Sequence, residues 1–207
     1  TIRRNGHLAI DGDLRTLLAD DPQLHGLLDS CGMTGRDIFA VVGGPPCQPF
    51  STAGKRLGVT DSRGQLYEHF VQVVRQLRPR FFVMENVKGL ASMRSVPGDA
   101  DSPPVLNHIL QLFNDAGYRT VHGVLDAVHY GAPQFRERLV IIGSRDAEAV
   151  FLPAPSHFPF HQDPALRWRT LGDALEGLPE TSPHAKFSST IQNYLNHVPE
   201  GGNWKNL

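Results

Sequence analysis

The 207-residue chain has only two cysteines, Cys31 and Cys47. Two thiols can build neither a disulfide framework nor a four-thiolate metal site, so a reduced, cytoplasmic setting is expected. No apolar run approaches the ~20 residues of a membrane span, and the start shows no secretory signal pattern. An excess of one charge is also missing: 20 Lys+Arg stand against 21 Asp+Glu, a formal net charge of -1. That balance gives no global attraction to nucleic acid, so such a partner must be argued from local residues. There is no internal repeat and no low-complexity tract. The 10 histidines are scattered without a pair at metal-ligand spacing, and His108, His122 and His129 read as structural or exposed. What is present, 40% hydrophobic and 20% charged residues, describes a soluble, folded chain long enough to bury a core. It opens on Thr1 and stops at Leu207 without a closing element, which reads as part of a longer protein.

Strand-like and helix-like segments alternate. Asp37-Ile38-Phe39-Ala40-Val41-Val42 is an apolar, β-branched run ended by Gly43-Gly44-Pro45-Pro46, a buried strand entering a turn. A loop follows from Ser51 to Arg63, and Ser62-Arg63-Gly64-Gln65 fits a capping box. Leu66, Phe70, Val73, Val74 and Leu77 then recur at helical spacing until Pro79. A second buried strand is expected at Phe81-Phe82-Val83-Met84, ended by Glu85-Asn86. The next helix starts at Ser102-Pro103 and is terminated by Gly117; strands are expected at 119–125 and 139–142. This alternation predicts an α/β domain with a largely parallel sheet. After residue 150 four prolines crowd one short stretch, Pro153, Pro155, Pro159 and Pro164. A linker is expected there, with a short helix near 171–178. The expected division is a catalytic core over 1–150, followed by a linker and the start of a recognition side over 151–207.

Ligands of open α/β sheets bind outside the carboxyl ends of the strands. One strand here delivers Pro45-Pro46-Cys47-Gln48 and another delivers Glu85-Asn86. If they are neighbours, a thiol and a carboxylic acid meet in one crevice. Gln134-Phe135-Arg136-Glu137-Arg138 leads into a third strand, in which Arg136 and Arg138 would share a face. A thiol, an acid and two guanidinium groups suit attack on an electron-poor ring: the thiolate adds, the acid engages a ring nitrogen, and planar donors hold an exocyclic oxygen. Cys31 lacks such a neighbourhood and reads as a small buried hydrophobe. The Gly-Gly-Pro-Pro turn reads as a conformationally fixed, strained device of the kind found at functional sites. Taken singly, Glu85 reads equally as a solvated strand end, and Arg136 with Arg138 as a salt-bridged surface pair.

Taken together, these blocks resemble the cytosine-5 DNA methyltransferases. Gly43 through Ser51 resembles the nucleophile motif; Ala53-Gly54-Lys55-Arg56 through Leu66, the mobile loop and following helix; Met84-Glu85-Asn86-Val87, the acid motif; and Asp126 through Arg138, the paired-arginine block. Pro199-Glu200-Gly201-Gly202-Asn203-Trp204 resembles the segment before the family's target-recognition region. The resemblance implies a Rossmann-like fold, S-adenosylmethionine as cofactor and double-stranded DNA as partner, with the target base flipped from the stack. It implies that Cys47 adds to carbon 6 of cytosine, that Glu85 engages ring nitrogen 3, and that Arg138 holds the exocyclic oxygen with Arg136 nearby. Gln48, Ser51, Asn86 and Gln134 are the implied substrate contacts. Asp13, Leu14, Pro45 and Leu66 match cofactor-lining positions; Asp13 also suits a helix N-cap. The family's glycine-rich cofactor loop, recognition region and closing helix are not in these residues, which reads as truncation. No metal is implied. A bacterial restriction-modification enzyme working on nucleoid DNA is the leading expectation; a transfer-RNA methyltransferase of the same family and a catalytically silent partner subunit are the alternatives.

Overall fold

The computed structural model describes residues 12–19, 26, 28–30, 32, 38–46, 66–96, 99–146, 148–178, 186–199, 202 and 205. Cys31, Cys47, Gln48, Ser51, the loop to Arg63 and the capping box lie outside them. Two compact units divide at Thr170 and Leu171.

In the first unit, α1 (Leu14–Ala19) precedes β1 (Ala40–Gly43), α2 (Leu66–Leu77) and β2 (Phe81–Val87). The short α3 (Gly89–Ser92), then α4 (Val105–Asp115), β3 (Arg119–Asp126) and β4 (Glu137–Ser144) complete it. The helical periodicity is satisfied: Tyr67, Phe70, Val71, Val73, Val74 and Leu77 of α2 are all buried. The chain leaves α2 through Arg78, held at φ 48°, and Pro79 follows. Gly117 ends α4 as expected, with φ +85°. Its N–H reaches the Asn114 carbonyl, and the Tyr118 N–H reaches that of Phe113, a Schellman closure. Buried Tyr118 then donates its hydroxyl to the Pro79 carbonyl at 2.6 Å, tying the ends of α2 and α4 together. The core is aromatic: Phe82 stacks on Phe113 at 3.9 Å between centroids, and Phe70 and Tyr118 meet Phe82 edge-on.

The α/β class stands, and three of the four described strands run in one direction, with one reversed. Among the described residues the sheet is mixed, in the order β1-β2-β4-β3. Only β1 and β2 pair in parallel; β4 pairs antiparallel with both β2 and β3. It follows that β1, β2 and β3 run in one direction, as the helical connections between them require, and β4 alone runs back between β2 and β3. The physical reason is the connection. Residues 127–136 contain one 3-10 turn, Ala127–Tyr130, and no crossover helix, so the chain can only return antiparallel.

The proline-rich stretch stays with this unit. The Tyr130 hydroxyl donates to the Pro153 carbonyl, and the Ser156 and His157 N–H groups both donate to the carbonyl of His129. The second unit contains α5 (Leu171–Leu175) and α6 (Ser189–Leu195), the latter capped by the Ser188 hydroxyl, and none of its described residues is buried. No helix among the described residues is long and apolar enough to cross a membrane.

Candidate active site

The antiparallel insertion decides where the chemistry collects. The carboxyl ends of β1, β2 and β3 lie at one edge of the sheet. Because β4 runs the other way, its beginning lies at that edge too. Along β2 burial alternates, with Phe82, Met84 and Asn86 buried and Phe81, Val83, Glu85 and Val87 only partly so. Glu85 therefore shares the open face, and Asn86 the core face. On β4, Arg138 lies opposite Val87, diagonal to Glu85. The two side chains meet on that face: Arg138 Nε lies 2.8 Å from Glu85 Oε1. Arg138 Nη1 also donates to the Glu137 carbonyl at 2.8 Å, which fixes the plane of the fork. Beside this pair, Lys88 Nζ and Glu137 Oε1 form a second ion pair at 2.7 Å.

Asn86, expected among the substrate contacts, is 4% exposed and fully engaged with backbone. Its Nδ2 donates to the Pro45 carbonyl at 3.2 Å, and its Oδ1 accepts from the Val87 N–H at 2.8 Å. It thereby pins the end of β1, two residues before Cys47, to β2. The Gly43-Gly44 pair also has a reason different from the one expected. Neither glycine has positive φ. They are needed for close approach: a Cβ at Gly43 would lie 2.5 Å from the Phe70 ring, and one at Gly44 would lie 3.0 Å from Glu85 Oε2. The turn is shaped by its neighbours rather than by left-handed backbone.

All four residues matched to cofactor positions, Asp13, Leu14, Pro45 and Leu66, line one cavity of about 640 Å³. Its walls include Val41, Phe70 and Val73, and Asp13 supplies its carboxylate. That carboxylate also plays the capping role: Asp13 Oδ1 accepts from the Arg15 N–H at 2.9 Å, in the first turn of α1. The Arg15 guanidinium closes on it at 2.5 Å and holds its pKa down to about 2. Arg15 is a lining residue that the sequence reading missed, although its spacing of two from Asp13 was visible.

Arg136 and Arg138 do not sit in one strand, because β4 begins at Glu137. The Arg136 N–H instead donates to Asp126 Oδ1 at 2.7 Å, holding the start of β4 against the end of β3. Gln134 is exposed and turns back on Ala132 through its N–H. No group of three or more metal-ligating side chains occurs among the described residues.

A parallel β1-β2 pair that carries a proline turn beside an acid is met by a returning strand with its arginine, and the same turn, Gly43 to Pro46, lines the largely apolar pocket. The chain belongs to the C-5 cytosine-specific DNA methylases, whose family model matches residues 28–205. It is 34% identical to the Type II methyltransferase M.AquIA of Picosynechococcus over 212 residues, covering 89% of this chain and 84% of that protein. It is 36% identical to the Type II methyltransferase M1.HphI of Haemophilus parahaemolyticus, covering 92% of this chain but 46% of that one. Among solved structures it is similar to a prophage-encoded E. coli protein provisionally assigned as a DNA modification methyltransferase. The TM-score is 0.58 at 25% identity, covering 96% of this chain and 54% of the other. The chain thus spans most of one relative and about half of the others.

Proposed function

We propose that this chain transfers a methyl group from S-adenosylmethionine to carbon 5 of a cytosine in duplex DNA, within a bacterial restriction-modification system acting on cytoplasmic DNA. The observation that carries the reading is the Glu85–Arg138 ion pair, at the same sheet edge as the turn that leads to Cys47. The apolar walls and single carboxylate of the adjoining cavity fit an adenosine group. Leu14, Leu66 and Phe70 would cover the purine, and Asp13 would accept from its amino group. When bound, the cofactor supplies an activated methyl group on a sulfonium.

The chain's own residues do the rest. The Cys47 thiolate forms a carbon–sulfur bond at carbon 6 of a flipped-out cytosine, and Glu85 holds a proton at ring nitrogen 3 as charge develops there. Arg138 keeps Glu85 placed through Nε and has donors left for the exocyclic oxygen. Carbon 5, made nucleophilic by the addition, takes the methyl group. Water takes the carbon 5 proton as the carbon–sulfur bond breaks, and the proton at ring nitrogen 3 returns to Glu85, which restores the ring and the Cys47 thiolate. Asn86 keeps the turn that carries Cys47 against β2 throughout.

The test is covalent trapping. Duplex DNA substituted with 5-fluorocytosine cannot lose the carbon 5 proton, so the full-length protein with cofactor should form a denaturant-stable adduct that Cys47→Ala abolishes. Absence of an adduct would refute the mechanism. Methyl transfer to transfer RNA but not to DNA would refute the substrate.

A further inference from the structure

Phe135 is 73% exposed, between Gln134 and Arg136. An exposed phenyl ring of this size is common, but this one is seated on a fixed support. Its ring meets Trp168 edge-on at 5.4 Å, and Trp168 meets His129 edge-on at 5.3 Å. The strip that carries Trp168 is bound down at several points. The Ser156 and His157 N–H groups donate to the His129 carbonyl, and Trp168 N–H donates to that of Phe158. Arg167 Nε closes the loop on the His161 carbonyl at 2.7 Å. The shelf is therefore tied at several points while its outer ring is exposed.

Two cations flank these rings in the chain. Arg136 follows Phe135 and Arg169 follows Trp168; both are exposed, and neither guanidinium has an acidic partner among the described residues. An exposed aromatic face on a fixed support, with unpaired guanidiniums next to it in the chain, is a combination suited to single nucleotides: the ring covers a base, and the charges take phosphates. The location agrees, since Phe135 precedes by three residues the Arg138 that holds Glu85.

We infer that Phe135, propped by Trp168, stacks on a nucleobase of the DNA beside the methylated cytosine, with Arg136 and Arg169 contacting adjacent phosphates. The inference rests on the DNA reading above and adds a contact to it.

The experiment compares full-length wild type with Phe135→Leu and Phe135→Trp, on unmethylated phage DNA of mixed sequence. Leucine keeps apolar bulk against Trp168 but has no stacking face; tryptophan keeps one. Phe135→Leu should raise KM for DNA about ten-fold or more, and Phe135→Trp should stay within about two-fold of wild type. Neither should change the Kd for S-adenosylhomocysteine or the slope of log KM against log salt. Arg169→Ala should lower that slope by about one. An unchanged KM in Phe135→Leu overturns the contact while leaving the enzyme reading intact. An equal loss in both Phe135 variants with a lowered Tm also overturns it, because the ring would then be packing only. A wild type that methylates no DNA overturns the function itself, and the contact with it.

Discussion

The side-chain amide of Asn86 donates to the carbonyl of Pro45 across 3.2 Å, from a position only 4% exposed. A side chain on the buried face of β2 thus holds the backbone two residues before Cys47. Asn86→Ala removes the partner of the part-buried Pro45 carbonyl, and should lower stability by about 1 kcal/mol in denaturant unfolding. It should also slow adduct formation with 5-fluorocytosine DNA. Asn86→Asp, which cannot donate when ionised, should behave the same way. A wild-type trapping rate in either variant would show that the pin is irrelevant to Cys47.

Glu85 and Arg138 form one unit, and their substitutions should not add. Glu85→Gln should slow methyl transfer by about 10²-fold or more. Arg138→Lys should also lose rate, since a point charge cannot hold both the carboxylate and the Glu137 carbonyl in one plane. In single-turnover kinetics the double variant should be little worse than Glu85→Gln alone. Strict additivity of the two effects would mean that the ion pair is not used in catalysis.

Gly44→Ala would place a methyl group 3.0 Å from Glu85 Oε2 and displace the acid without touching the core. The rate should fall while Tm changes little. Gly43→Ala, at 2.5 Å from the buried Phe70 ring, should instead destabilise the fold by about 1–3 kcal/mol. Thermal unfolding beside methylation rates separates the two; the opposite assignment of losses would contradict the packing described.

Asp13 is held to about 2 by the Arg15 guanidinium. A depressed folded-state value means that the contact is complete above the ordinary carboxylate pKa of 3.8 and is lost as pH falls toward about 2. Arg15→Ala should raise the Asp13 midpoint toward 3.8, read from the carboxyl carbon shift in an NMR titration. Asp13→Asn should weaken binding of S-adenosylhomocysteine at neutral pH. An Asp13 midpoint indifferent to Arg15 would show that the pair is not formed in solution.

The linear order of residues determined the elements and the types of chemistry. Helical spacing from Leu66 to Leu77, the closure at Gly117 and the apolar run before Glu85 are local signals, governed by side-chain period and backbone sterics, so they can be read without a fold. The motif blocks were legible for the same reason. What the tertiary structure alone decided is direction and facing. Parallel and antiparallel neighbours share one apolar code, so only the missing crossover helix between residues 126 and 137 betrays that β4 returns. That reversal brings Arg138 to Glu85. Strand parity then turns adjacent Glu85 and Asn86 to opposite faces, making one available for chemistry and the other a buried pin, because a β-strand alternates its side chains and the core covers only one face of β2 here.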